Sequence, residues 1–394
     1  MRITFAILFV ILGFNLFAVD GEKVITINDD WDALNLNEYT YAFISKIKNL
    51  EADSVKDEKF EHLPTGLNIG LNDKIYWARY SINNPYDVSK EFYLFYPYND
   101  INKINVFLIY HDSIEYIKST GTFYSKSNKD LKSRGYPISL KLKPGLTKVL
   151  IEVEHLYLPL RGIAFLLTED QVIDNTIETQ ALLSMWQGIL LFILILTFIL
   201  YFALEQKSFL YYSILNLGIL LFFNAEVGDY FFFFDADPLD HIIDIKHFAN
   251  ILVLVFLPLF INQIASVAKA SPQLWKIMTY GLYIGPIAWA ICLIPSVKDT
   301  YFLYYTTMYF IIGSAILFLL LLYFTFIAYR KKHPNALGVF IIYVVYFSAA
   351  FKNLILPNMG AKDSELLVYN SFIFGSLFEI IAFLGLLGKE TLSV

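Results

Sequence analysis

Of the chain's 394 residues, 57% are hydrophobic, 18% aromatic and only 17% charged, and the mean hydropathy is +0.52. That balance excludes an ordinary soluble enzyme and marks a membrane protein. The formal net charge of −6 offers no basic face for nucleic acid, and one cysteine, Cys292, in an apolar run, excludes an intrachain disulfide framework or a thiolate zinc cluster.

The N-terminus, "MRITFAILFVILGFNLFAVDGEK", places one Arg before an uncharged run from Ile3 to Val19, followed by Asp20, Glu22 and Lys23. This is the layout of a secretory signal (residues 1–18) with cleavage after Ala18. An uncleaved anchor helix is the alternative, because the run is close to a bilayer span in length. Both readings export the next segment of the chain, and no Cys stands after the signal to make a lipoprotein.

Residues 19–59 mix Asp, Asn and Glu with a candidate helix over 40–50. From Val24 to Thr176 the apolar pattern keeps a period near two, with the sandwich domain itself expected over residues 60–176. "EFYLFYPY", "KINVFLIY", "YPISLKL" and "KVLIEVEH" are short aromatic and β-branched runs, punctuated by the turn formers "NNPYD", "PYND", "STG" and "KPGL". Strands of this length and spacing predict an antiparallel β-sandwich. In "KIYWARYSINNP", alternation puts Trp77 and Arg79 on one face of a strand and Tyr76, Ala78 and Tyr80 on the other. Trp77 is expected to anchor a core. Arg79 is expected either to pair with a carboxylate at the sandwich edge or to face a ligand.

At "YWARYSINNPYD", "YPYNDINKINVFLI", Gly121, and Arg134 with "YPISLKLKPGLTKVLIEVE" and "LPLRGIAFL", the chain resembles the extracellular sandwich of the bacterial seven-transmembrane receptors with diverse intracellular signalling modules, 7TMR-DISM. The resemblance implies an all-β, jelly-roll-like sandwich, for which carbohydrate binding has been proposed in that family. Aromatic side chains suit sugars because pyranose faces stack on them, and Tyr93, Tyr96, Tyr98, Tyr110, Tyr116 and Tyr124 supply candidates. The alternative is that these tyrosines half-bury in the sheets through β-propensity. Arg79, Tyr96, Tyr98 and Arg134 are the ligand-binding candidates.

Taking about 20 apolar residues per span, residues 180–390 divide into seven segments: 184–204, 208–225, 245–265, 277–295, 302–329, 336–356 and 366–388. Lys207, then Lys269 and Lys276, then Arg330, Lys331 and Lys332 fall after the first, third and fifth spans. Glu226, Asp229, Asp235, Asp237, Asp240 and Asp244 come after the second, Asp299 after the fourth, and Asp363 and Glu365 after the sixth. The basic loops are therefore expected to be cytoplasmic, with the sandwich exported and the C-terminus inside, in a bacterial inner membrane. "WQGILLFILILTFILYFALEQKSFLYYSILNLGILLFF" is similar to the seven-helix region of the same receptors. Members usually continue into a kinase, cyclase or other output domain, whereas this chain ends at "GKETLSV", so output through a partner is one expectation and a truncated chain the other.

Charge at membrane depth is expensive and normally faces the protein interior. Glu379, mid-way along the seventh span, is a candidate relay group or a static interhelical hydrogen bond to Asn216 or Asn250. Lys352 is expected to snorkel to the outer interface. Pro286, after Gly285, is expected to kink the fourth span as a second relay candidate. The loop "GDYFFFFDADPLDH" suits the outer interface or docking to the sandwich, and lacks the spacing of a calcium loop. No Gly-x-Ser-x-Gly, His-Glu-x-x-His or phosphate loop is present, so no catalytic site, metal or cofactor is expected.

The expected function is a transmembrane receptor. Its partners are an extracellular or periplasmic small-molecule or carbohydrate ligand, the lipid bilayer, and a cytoplasmic effector in cis or in trans; a homodimer stays open and nucleic acid is not among them. The alternative is a transporter or an envelope-assembly accessory subunit whose exported domain holds a glycan or protein. Few polar residues line the spans, and no repeated halves support an inverted-repeat transporter.

Overall fold

The computed structural model describes residues 22–392 apart from 29–32, 46, 48–49, 71–73, 99–100, 112, 123, 125–128, 156–159, 228–238, 293, 295–300 and 353–369. The expected signal segment and most of the Phe-rich acidic loop lie outside the described residues. An all-β region is followed by a helical one.

Among the described residues thirteen strands run from β1 (Val24–Thr26), β2 (Leu34–Asn35), β3 (Tyr41–Ser45), β4 (Glu61–His62) and β5 (Leu67–Gly70) to β6 (Ile75–Asn84), β7 (Lys90–Tyr96), β8 (Lys103–Tyr110) and β9 (Ser113–Thr120). The last four are β10 (Tyr136–Leu142), β11 (Gly145–Glu154), β12 (Leu160–Gly162) and β13 (Phe165–Leu167). One sheet has the order β4-β3-β6-β11-β8-β9, with β1 added in parallel along β6; the opposing sheet is β10-β7-β13-β2, and β12 pairs with β5. This is the sandwich that the period-two pattern predicts, and its sheets already include strands from residue 24 onward. The expected helix over 40–50 is instead β3, because Tyr41–Ser45 finds a hydrogen-bonding edge on β6. Tertiary pairing overrides a weak local helical preference there.

The two faces of β6 serve different cores. Tyr76, Ala78 and Tyr80 point between the sheets, against Leu94, Tyr96 and Leu140. Trp77 points the other way, into a smaller core with Tyr41, Val55, Phe60 and Leu150, where Leu50, Ala52, Val55 and Phe60 from the connection between β3 and β4 cover the outside of the sheet. Trp77 is 1% exposed and stacks on Phe107 at 6.0 Å. It is a core residue, of this satellite core rather than of the inter-sheet space.

The helices are α1 (Ala52–Val55), α2 (Glu169–Leu204), α3 (Lys207–Glu226), α4 (Leu239–Ala265), α5 (Val267–Ala270), α6 (Pro272–Leu282), α7 (Ile284–Cys292), α8 (Tyr301–Arg330), α9 (Ala336–Ala350) and α10 (Asn370–Leu392). Five described helices, α2, α3, α4, α8 and α10, contain stretches long and apolar enough to cross a membrane; α9 is a shorter apolar helix. The expected fourth span is divided at Tyr283 into α6 and α7. Pro286 sits in the first turn of α7, where its missing N–H removes no intrahelical bond.

Around the bundle α2 packs on α3, α3 on α4, α4 on α7 and α8, α8 on α9, α9 on α10, and α10 returns to α2. Two glycines set the closest approaches. A Cβ on Gly218 of α3 would lie 2.9 Å from Leu252 Cβ, and one on Gly375 of α10 would lie 2.5 Å from Ala349 Cβ. Small residues at such crossings let backbones pack by dispersion where lipid supplies no hydrophobic drive.

Trp77→Ala should cost about 3–5 kcal/mol through lost burial and the cavity left behind. Limited proteolysis of the full-length variant should cut within residues 41–62 much faster than in the wild type; an unchanged digestion pattern would show that Trp77 does not pin this segment.

Candidate functional site

The sandwich joins the bundle through the chain and through a buried ion cluster. β13 ends at Leu167, Thr168 is the N-cap, and α2 begins at Glu169, so a single residue separates sheet from helix. Thr168 and Gln171 form a reciprocal capping box, with Thr168 N donating to Gln171 Oε1 at 2.9 Å and Gln171 N donating to Thr168 Oγ1 at 3.3 Å. Glu169 and Asp170 in the first turn suit the positive end of the helix dipole. Tyr93 and Phe95 of β7 and Phe165 and Leu167 of β13 belong to the same apolar cluster as Val172 and the bundle interior. Sheet and first helix thus share one packed core.

Beside this joint, Glu226 at the end of α3 bridges two cations. Its Oε1 pairs with Arg161 Nη2 from β12, and its Oε2 lies 2.7 Å from Lys246 Nζ on α4. The side chains are only 2%, 6% and 9% exposed for Arg161, Glu226 and Lys246. The Arg161 guanidinium also lies 4.3 Å from the centre of the Tyr98 ring. Ionised groups withdrawn from water hold their geometry only while paired, so the cluster links one strand of the sandwich to two helices. A second arginine repeats the theme: Arg134 Nε donates to Gln180 Oε1 of α2 at 2.9 Å, and its Nη1 donates to Val227 O at 3.4 Å.

Of the ligand-binding candidates, Tyr98 and Arg134 are brought to this junction, where both are buried. Tyr96 is fully buried between the sheets, its hydroxyl neighbouring that of Tyr80. Burial pushes the Tyr80 phenol up to about 12 and Tyr96 well above its ordinary value, so both stay neutral. Arg79 lies on the outer face, ion-paired to Glu22, donating to Lys56 O at 3.0 Å and resting 4.0 Å from the centre of the Phe60 ring. The carboxylate pairing is one alternative expected for it, but β6 is an inner strand of the sheet, not the sandwich edge.

The outer face of the seven-stranded sheet carries a different constellation. Tyr116 on edge strand β9 is 57% exposed and packs edge-on against Phe107, with ring centres 5.7 Å apart. Its hydroxyl donates to Ser119 Oγ at 2.8 Å; Ser119 donates to Asn105 Oδ1, and Asn105 Nδ2 to Glu152 Oε2. Lys103 Nζ lies 3.4 Å from the same carboxylate oxygen. An open aromatic ring thus flanks a chain of oriented polar groups.

Glu379 is buried mid-way along α10, where its Oε2 accepts from Tyr212 OH at 3.4 Å. Of the two partners expected from sequence, Asn216 and Asn250, Asn216 donates instead to Tyr212 O at 2.8 Å. Lys352 is exposed and donates to Ser371 Oγ at 3.2 Å. Gly285, beside Pro286, lies in contact range of Tyr309 on α8.

Sequence reasoning missed Arg161, Lys246 and Gln180, and placed Glu226 among solvated loop acids. A signal existed: a Lys just inside one span opposite a Glu just at the end of the preceding one.

The family model described as 7TM diverse intracellular signalling matches residues 179–390, and that described as 7TMR-DISM extracellular 2 matches residues 37–160. No curated protein matches the chain.

Glu226→Gln or Arg161→Ala should each lower the thermal unfolding midpoint of the purified protein, since stranding one buried charge costs about 3–5 kcal/mol. The Arg161→Ala/Glu226→Ala double variant should lose less than the sum of its singles. Additive losses would show that the two side chains are not coupled.

Proposed function

The chain belongs to the 7TMR-DISM family of transmembrane sensory signalling proteins, and from that premise we propose that its sandwich is a ligand sensor whose bound state reaches the far end of the bundle through the buried Arg161–Glu226–Lys246 cluster and α2. The observation that carries this reading is the junction itself: one residue between β13 and α2, flanked by a desolvated ion cluster spanning β12, α3 and α4. A flexible tether would transmit nothing, whereas a packed joint makes the helix ends follow the sheet. A ligand shifts the bundle only through its differential affinity for two arrangements. The cluster supplies such a device, because Glu226 can keep both cations only in one register.

The ligand is a carbohydrate or similar polyol held at the outer face of the seven-stranded sheet. Tyr116 offers the stacking ring and Ser119 and Lys103 the partly exposed polar groups, which the buried Asn105 and Glu152 hold in orientation. The sandwich faces the outside of the cytoplasmic membrane. Supporting this, Lys207, Lys269, Lys276 and Arg330 to Lys332 all lie at span ends remote from the Glu226 junction, and Lys331 Nζ donates to Ala270 O, tying two of those ends together. That basic end is where a cytoplasmic effector would read the state. The role is one of binding and relay, not catalysis.

Binding of the full-length protein in nanodiscs to a broad glycan array tests the ligand class. Tyr116→Ala should weaken binding to any positive glycan by about tenfold, the worth of one stacked ring. Absence of binding across the array would remove the carbohydrate reading.

A further inference from the structure

Five cations gather where α5, α6 and the end of α8 meet. Lys269 lies on α5, Lys276 on α6, and Arg330, Lys331 and Lys332 close α8; all five are exposed. α5 packs on both α6 and α8, and Lys331 Nζ donates to Ala270 O, so the two stretches of chain form one surface. The chain has no Asp or Glu from residue 245 to 298 or from 300 to 362, and among the described residues none of the five cations makes an ion pair. Lys246, toward the opposite end of α4, pairs with Glu226 instead. Exposed tyrosines border the basic surface. Tyr280, Tyr283 and Tyr329 are 61%, 60% and 43% exposed, and Lys276 Nζ lies 5.8 Å from the centre of the Tyr280 ring.

We propose that this surface is a docking site for the headgroups of anionic phospholipids in the leaflet beside it. Like charges crowded at helix ends repel one another, and the chain supplies no carboxylate there to offset them. A phosphodiester does, and each Lys or Arg beside an anionic bilayer surface is worth about fivefold in affinity. The tyrosines decide between a lipid and an acidic protein segment. Aromatic rings left open next to cations sit at the level of the headgroups, with the ring toward the acyl chains and the hydroxyl toward water. The neighbouring cations therefore lie at headgroup depth, where lipid is the anion at hand. α4 carries Lys246 of the junction cluster near one end and runs into α5 at the other, so bound headgroups would act on a helix that the sandwich also holds. This goes beyond the sensor reading and needs neither a sandwich ligand nor an assigned side of the membrane, so either can fail alone.

The test is native mass spectrometry of the full-length protein in neutral detergent, titrated with phosphatidylglycerol or phosphatidylcholine of identical acyl chains. The wild type should bind phosphatidylglycerol at least about tenfold more tightly, and inorganic phosphate at the same ionic strength should not displace it. The Lys276→Gln/Arg330→Gln/Lys332→Gln variant should lose at least about tenfold in phosphatidylglycerol affinity and keep its affinity for phosphatidylcholine. A Lys59→Gln/Lys141→Gln/Lys143→Gln variant removes as much charge from exposed positions on the sandwich and should keep the preference. Unchanged thermal midpoints identify variants that stay folded. Equal affinity of the wild type for the two lipids would overturn the proposal. So would an undiminished preference in the folded Lys276/Arg330/Lys332 variant, an equal loss in the sandwich variant, or displacement by inorganic phosphate, which would mark a free-anion site.

Discussion

A carboxylate withdrawn from water between two cations is the constraint on which the joint between the two halves depends. Glu226 is the last residue of α3, Arg161 belongs to the short β12, and Lys246 lies near the start of the membrane-spanning part of α4. None of the three could be buried alone, since the cost of stranding any one of them is several kcal/mol. Their burial together is therefore less a source of net stability than a register pin. In the observed seating of the sandwich, Arg161 reaches Glu226 while Tyr98 caps the guanidinium.

The two faces of the large sheet divide the remaining work. The inward face packs on the second sheet, whose own outer face, through Tyr93, Phe95, Phe165 and Leu167, continues into the apolar interior shared with the helices. The outward face is covered at one end by Val55 and Phe60 from the connection between β3 and β4, which pack on Trp77, and at the other end exposes Tyr116. Below the junction an aromatic column continues inward: Phe223, three residues before Glu226, stacks on Phe372 at 4.3 Å, and Trp186 meets both rings edge-on. Tyr212 lies about 21 Å farther along α3 from Glu226, counting 1.5 Å per residue, and there touches Glu379. Junction and the Tyr212–Glu379 contact thus share α3.

Much of this was legible in the sequence because its physics is local. Period-two runs with Pro, Gly and Asn punctuation define the sandwich, apolar length defines the spans, and alternation along β6 correctly separated Trp77 and Arg79 from Tyr76 and Tyr80. What was not legible depends on distant partners. Residues 41–45 became a strand only because β6 offered an edge. Tyr96 and Tyr98 look alike in "YPY", yet one fills the inter-sheet core and the other covers an arginine. Arg161 and Glu226 are 65 positions apart, and no spacing rule connects a strand to the end of a second helix. Pro286 was read as a kink in the fourth span, and the span does break at Tyr283, in the turn that precedes the proline.

The central claim, that sandwich and bundle are held in one register by the buried cluster, is tested most directly by a distance distribution between spin labels at Val88 on the sandwich and Ile199 on α2, both exposed. The full-length protein should give one narrow distribution, and Glu226→Ala should broaden it while the protein remains folded. A wild-type distribution as broad as that of two tethered domains, or one unchanged by Glu226→Ala, would contradict the account.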